Sequence, residues 1–283
     1  MSLARLKEYL QPASLDEALT LLQNGPEKTR LIGGGIDIVL HNKDVERLID
    51  LSRLSLAYVN QEETGISVGA TTTMTQLLEA SPVQGYLGGI IPEVLHLVAS
   101  PLLRNLGTIG GTLASAHPWS DIITLFLALA ADVTLFDGEH HTVPLVELYR
   151  GKYRKILSGA IITGVFVPNH PSNTAAAFRK FSRTGFDIAL LNCACLIQLA
   201  NDRCSKARVV AGGTPWLASR LTSVEEALIG EPFESRSIVK AAIMAESTAA
   251  VHGDTRASAD YRRELIRIGI ERCLIQVMQR SSG

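Results

Sequence analysis

Arg104-Asn105-Leu106-Gly107-Thr108-Ile109-Gly110-Gly111 is a glycine-rich turn without a lysine, and Ile32-Gly33-Gly34-Gly35-Ile36-Asp37 upstream is a second one. Glycine lets the backbone enter left-handed conformations and approach a ligand closely, and consecutive amide N–H groups then form a concave nest for anionic oxygens. Two such turns, each baring several amides, predict a diphosphate held by main-chain donors and hence a nucleotide cofactor. The commoner nucleotide motifs fail at the same residues. A Rossmann fingerprint requires GxGxxG, but Ile38 stands where the third glycine of the first turn belongs, and the second turn has the wrong spacing. A P-loop ends in Gly-Lys-Ser or Gly-Lys-Thr, whereas Gly151-Lys152 is followed by Tyr153, which disfavours phosphoryl transfer.

With 283 residues, 46% of them hydrophobic, the chain can build one large domain or two ordinary ones with real cores. Its 27 basic and 28 acidic residues nearly cancel, leaving a formal net charge of -1, and no run of five like charges occurs. A nucleic-acid partner is therefore not expected. The longest apolar stretch, residues 122–131, contains a threonine and is far too short to span a bilayer, and the start lacks a basic-then-apolar leader pattern. Cytoplasmic residence is the expectation. The cysteines at 193, 195, 204 and 273 match neither a CxxC pair nor an iron–sulfur binding run. Cys193 and Cys195 alternate on a predicted strand, which puts both on one face as small buried hydrophobes, and no metal ligands are expected.

The first half alternates strand and helix signals. Ser14-Leu15-Asp16-Glu17 reads as a capping box, with Leu15, Ala18, Leu19 and Leu22 on one helical face. Strands are predicted at 30–32, 47–51 and 65–68, a helix at 73–80, another starting near Pro92, and a mostly apolar one at 121–130. A strand at 133–136 leads into an Asp137-Gly138 hairpin signal, and 161–167 is a further strand. Asn169-His170-Pro171-Ser172-Asn173 is rich in turn formers and marks a domain boundary. Beyond it, strands at 176–181, 188–199 and 205–211 precede helices at 235–250 and 258–279, an α+β pattern.

On its glycine turns the chain resembles the FAD-binding medium subunit of the molybdenum hydroxylases, the family of xanthine dehydrogenase and aerobic carbon monoxide dehydrogenase. The resemblance covers nearly the whole chain. In that family the first turn reads roughly Ala-Gly-Gly-Thr-Asp or Ala-Gly-Gly-His-Ser, and the second Arg-Asn-x-Gly-Thr-Ile-Gly-Gly, which residues 104–111 match without a gap. Gly69-Ala70-Thr71-Thr72-Thr73, Ser115-Ala116-His117-Pro118-Trp119-Ser120-Asp121 and Asp254-Thr255-Arg256-Ala257-Ser258-Ala259-Asp260-Tyr261-Arg262 add to it. The resemblance implies an α+β protein in two domains. Residues 1–170 would be a two-lobed FAD-binding domain like that of vanillyl-alcohol oxidase, with FAD between α/β lobes. Residues 174–283 would be a smaller C-terminal α+β domain of a short antiparallel sheet with helices.

Carried over by position, Ile32, Gly33, Gly34, Gly35, Ile36, Asp37 and Ile38 would wrap the pyrophosphate. Gly107, Thr108, Ile109, Gly110 and Gly111 would approach the pyrophosphate and flavin end, with Ala70 and Thr71 in the same set. Ser115 and Asp121 would bind polar groups of the cofactor, Ile109 and Ile162 would offer apolar surface to the flavin, and Lys180 would be a basic residue near it. Gly35-Ile36 departs from the family pattern, so backbone replaces one side-chain contact to phosphate. Alternatives stay open at several positions. Asp121 also suits the start of the helix that follows it, His117 suits a solvent-facing loop, Arg179 and Lys180 suit an exposed strand, and the aspartates and arginines of 254–262 suit ion pairs that cap the last helix or meet a partner.

The family implies a large partner subunit bearing a molybdenum cofactor and a small one bearing 2Fe-2S clusters. FAD on this chain would take electrons from the clusters and pass them to NAD or another acceptor. No triad, carboxylate dyad or metal cluster stands out, so the chain is expected to supply no catalytic acid, base or nucleophile. The competing readings are a stand-alone FAD-dependent oxidoreductase and a flavin-less scaffold subunit.

Overall fold

The cap expected at Ser14 is in place: its hydroxyl accepts from the Glu17 amide at 3.1 Å, and Leu15–Gln23 is helical with Ala18 and Leu19 buried. In the computed structural model, which describes residues 5–41 and 44–281, this helix packs on a parallel sheet. The sheet comprises β1 (Glu8–Leu10), β2 (Thr29–Ile32) and β3 (Arg47–Asp50), in the order β1-β3-β2. A second sheet contains β4 (Val59–Gln61), β5 (Gly65–Gly69), β6 (Asp132–Phe136), β7 (His140–Pro144) and β8 (Ile161–Pro168), in the order β4-β5-β8-β6-β7. The predicted hairpin joins β6 to β7. Ala18 and Leu19 of the helix, Ile49 of the first sheet's central strand and Leu51 just beyond it, and Phe136 and Ile161 of the second sheet share one apolar cluster. Each fully buried leucine or isoleucine there contributes roughly 1.5–3 kcal/mol, so the cluster fastens two sheets that hydrogen bonds do not join.

These two sheets and their helices form one compact unit of residues 5–82, 100–115 and 131–167. A second unit holds residues 83–99, 116–130 and 168–281. Its antiparallel sheet has the order β12-β11-β10-β9, from β9 (Thr174–Phe181), β10 (Leu191–Ala200), β11 (Arg203–Gly212) and β12 (Ser219–Arg220). Asn201 and Asp202 turn β10 into β11 with φ of 51° and 58°, a left-handed pair that Asn and Asp tolerate better than other side chains.

Side chains alternate across β10. Cys193, Cys195 and Ile197 are fully buried in a cluster with Ile266, Ile270, Cys273 and Leu274 of the helix Ala259–Ser281. Asn192, on the opposite face, meets Thr124 of the helix Asp121–Ala128. Both faces are covered, which is why residues 193–197 at the centre of the strand read as an apolar run rather than an alternating one. The cysteines are the small buried hydrophobes the spacing indicated, and burial pushes the Cys193 and Cys195 thiols well above their ordinary range.

Arg262 of the last helix has no exposed surface. Its guanidinium donates to the carbonyls of Leu190, at 2.8 Å, and Gly213, and to the Asp254 carboxylate. Asp254 also accepts from the amides of Arg256 and Ala257, at 2.8 and 3.1 Å, and from the Arg256 guanidinium. Asp260, the other aspartate of the motif, pairs with Arg263 instead. Burial pushes the Asp254 carboxyl up, but these donors outweigh it and hold the group well below the usual carboxylate range. A depressed value means the unfolded chain binds the proton more readily. The resulting stability is complete above the unfolded carboxylate value of about 3.9 and is lost as pH falls below it. Thermal melts from pH 6 down to pH 3 are expected to show wild type losing stability toward pH 3 and Asp254→Asn losing less over that window. Arg262→Met should lower stability by about 3 kcal/mol, the order of magnitude for breaking one side of a buried pair.

Candidate functional site

β2 ends at Ile32, opposite Asp50, and the first glycine turn begins there. Gly35 adopts a φ of 76° and turns the chain into the short helix Ile36–His41. Gly34 lies so close to the second turn that a Cβ on it would sit 1.6 Å from the Leu106 carbonyl oxygen; one on Gly33 would sit 2.7 Å from Thr108 Oγ1. No side chain fits at Gly34, so the two glycine turns, distant in sequence, touch through bare backbone.

The expectation that both turns bare their amides holds for the first only. No described residue accepts a hydrogen bond from the amides of Gly33, Gly34, Gly35 or Ile36. In the second turn the Gly107 amide donates to Leu103 O at 2.7 Å, Ile109 to Thr72 O at 2.9 Å, Gly110 to Ala70 O at 2.8 Å, and Gly111 to Thr108 Oγ1 at 3.2 Å. The helix Pro101–Arg104 and the segment after β5 thus claim those donors. Burial explains the arrangement for Ile109 and Gly110, which are inside, where an unpaired amide is costly; the Thr108 amide alone has no acceptor among the described residues. The second turn is therefore mainly a brace, and the first carries most of the free donors.

A cavity of about 200 Å³ opens beside the two turns. Among the sequence candidates, Gly33, Ala70, Thr71, Thr108, Gly110, Gly111 and Ile162 line it. Ile32, Gly34, Gly35, Ile36, Asp37 and Ile38 continue the first turn beyond this wall, Gly107 sits behind it against Met74 and Ile36, and Ile109 is fully buried in the core rather than facing a ligand. Ser115 ends the helix Ile109–Ser115 outside the wall. Arg30, Leu31, Leu51, Ala114, Leu157 and Ala160 complete the lining and were missed by the sequence reading. Leu157 and Ala160 lie where no glycine motif points. Arg30 and Leu31 precede the turn directly, and that adjacency was the available clue.

The cradle suits a dinucleotide. Open main-chain donors at one edge match a diphosphate, and the Leu31, Leu51, Leu157, Ala160 and Ile162 side chains offer an apolar wall to a ring. The volume falls below the roughly 300–1,000 Å³ of pockets that enclose a whole drug-sized ligand; it fits one segment of such a molecule.

Asp121 and Lys180 belong to the second unit and find each other there, with Nζ to Oδ2 at 2.9 Å and both side chains 5% exposed. Lys180 is thus no exposed strand charge, and it also donates to the Leu97 carbonyl at 2.7 Å. Asn192 donates to Asp121 at 2.7 Å and to Trp119 O at 3.3 Å, and accepts from Thr124 at 2.8 Å. Burial pushes the Asp121 carboxyl up, opposed by Lys180 and Asn192. The helix cap at this point is Ser120, whose hydroxyl accepts from the Ile123 amide. His117 stacks on Trp119 at 4.7 Å, and Arg256 covers the same indole at 5.3 Å. Among the described residues no group of three His, Cys, Asp or Glu side chains is placed to hold a metal, and no helix is long and apolar enough to cross a membrane.

Two outcomes follow for thermal melts of variants. Gly34→Ala should unfold at markedly lower temperature, because its methyl cannot share space with a backbone oxygen. Asp121→Ala should lose about 3–5 kcal/mol, the cost typical of leaving a buried cation unpaired.

The profile described as the FAD binding domain in molybdopterin dehydrogenase matches residues 4–170, and that of the CO dehydrogenase flavoprotein C-terminal domain matches residues 176–277. The chain is 34% identical to the 6-hydroxypseudooxynicotine dehydrogenase complex subunit alpha of Paenarthrobacter nicotinovorans, over 97% of this chain and 95% of that protein. It is 29% identical to the carbon monoxide dehydrogenase medium chain of Hydrogenophaga pseudoflava, over 94% and 95%. A solved structure of the Hydrogenophaga pseudoflava carbon monoxide dehydrogenase, lacking the Mo-pyranopterin moiety, superposes with a TM-score of 0.91 at 28% identity, covering 97% of this chain and 98% of that one. Extended over both halves of the chain, this agreement joins to the glycine cradle in one conclusion: the protein belongs to the FAD-binding medium subunits of the molybdenum hydroxylases, an oxidoreductase subunit whose cofactor is FAD.

Proposed function

We propose that this chain is the electron-transfer member of a molybdenum hydroxylase complex, working between a small subunit with 2Fe-2S clusters and an acceptor such as NAD. A large subunit holding the molybdenum cofactor would complete the assembly. The relatives named as a medium chain and as a subunit of a dehydrogenase complex support this reading. FAD, when bound, supplies the ability to accept electrons singly and release them in pairs. The work of this chain is then placement.

The observation that carries the proposal is the set of unclaimed amides at Gly33, Gly34, Gly35 and Ile36, beside an apolar cavity. Those amides would hold the diphosphate of FAD, and Thr108, whose hydroxyl accepts from Gly111 and keeps its own proton to donate, would bind a further oxygen. Ile162, Ala70 and Thr71 would line the cofactor on the far wall. We assign the FAD-binding domain to residues 1–170 and the C-terminal domain to 174–283, and expect the protein in the cytoplasm, in keeping with its four free cysteines.

Purified full-length protein titrated with FAD should bind one equivalent and show flavin absorbance; a colourless chain that also refuses added FAD overturns the reading. Ala114 is exposed on the cavity wall, so Ala114→Leu should weaken FAD binding by about tenfold or more, roughly 1.4 kcal/mol, while leaving the melt of the apoprotein unchanged. Isolation from the native host should bring down molybdenum and iron in stoichiometric amounts. A stable, active preparation without either metal would favour the stand-alone oxidoreductase.

A further inference from the structure

Arg30 is the charged residue of the cavity wall. It sits on β2, three residues before Gly33, at a position the cofactor motifs do not include. Its Nη1 donates to the carbonyls of Glu27, at 3.0 Å, and Thr29, at 2.7 Å. Those two bonds fix the plane of the guanidinium, while no described residue accepts from Nε or Nη2. A fork held on one side and open on the other is pre-organised to receive an anion in a bidentate manner.

The first turn gives such a contact a purpose. Its Gly35-Ile36 step provides no hydroxyl, and the open amides of Gly33 to Ile36 are neutral donors. The second turn adds little from its backbone, because the amides of Gly107, Ile109, Gly110 and Gly111 are already committed and that of Thr108 alone has no acceptor among the described residues. A diphosphate carries negative charge that dipoles alone leave uncompensated, and a positive side chain lining the same cavity supplies the missing term.

We propose that Arg30 is a cofactor-binding residue, whose free Nε and Nη2 contact the diphosphate of the bound dinucleotide. The inference rests on the assignment of this cavity to FAD. Arg30 is exposed, so its substitution spares the core, and Arg30→Lys keeps the charge while losing the fork.

The test is displacement of FAD from the full-length protein, followed by flavin fluorescence, with ADP and adenosine as competitors over a range of salt concentrations. For Arg30→Gln the dissociation constants of FAD and ADP should rise about tenfold, that of adenosine should stay at the wild-type value, and the salt dependence of FAD binding should flatten. Arg30→Lys should recover part of the ADP affinity. Equal loss for ADP and adenosine would mean that Arg30 touches the base rather than the phosphates, and would overturn the proposal; so would unchanged FAD and ADP affinity. Failure of the underlying assignment looks different, since wild type itself would then bind neither FAD nor ADP.

Discussion

The Leu106 carbonyl oxygen pressed against the Cα of Gly34 is the constraint on which the cofactor cradle depends. One backbone lies directly on another, and the contact survives only because one residue has no side chain. Around it the donors divide: the second turn spends all but the Thr108 amide of residues 107–111 on Leu103, Thr72, Ala70 and the Thr108 hydroxyl, and so is braced. The first turn, held from behind, keeps its amides outward. Pre-organised dipoles of this kind need no reorganisation when an anion arrives, and they bind at low entropic cost. Rigidity of one loop is thus the condition for availability in the other.

The second unit solves a different problem with charge. Asp121 and Lys180 are both withdrawn from water, as is Arg262, and each is held by named partners, Arg262 through Nη1 and Nη2 while its Nε finds no acceptor among the described residues. Such groups add little net stability over an apolar replacement, but they permit one arrangement only. Asn192, meeting Asp121, Thr124 and the Trp119 carbonyl, fixes how the helix Asp121–Ala128 lies on β10. Arg262 does the same for the last helix through the carbonyls of Leu190 and Gly213. The run of residues 254–262, so prominent in the sequence, is explained by this anchoring.

Much of the fold was legible because its signals are local. Ser14 announces a helix, Asp137-Gly138 a hairpin, and the alternation through Cys193 and Cys195 a strand with a buried face. What was missed lacks such signals. β1, β4 and β12 have two or three residues each, too few for a period of two to show, and the helix Thr222–Leu228 has no side-chain cap. The cradle was legible in its glycines and obscure in its walls. Leu157 and Ala160 reach the cavity through tertiary packing alone, and the occupation of the second turn's amides depends on carbonyls at Ala70 and Thr72 that only folding brings near. Ile109 shows the converse: an apolar residue inside a ligand motif is packed in the core.

The division of the chain into units does not follow its order. The sheet of β9 to β12 is covered on one face by the helix Asp121–Ala128, and β9 is also packed by Ile90–Leu97; both helices come from the first half of the sequence. A fragment beginning after the boundary near residue 170 would keep its strands and the last helix yet expose a stripped apolar surface, and would be prone to aggregate. The two matched profiles describe stretches of sequence, but autonomy of folding is not divided at the same place. Grafting the C-terminal stretch onto another protein would require the donor's two earlier helices to travel with it.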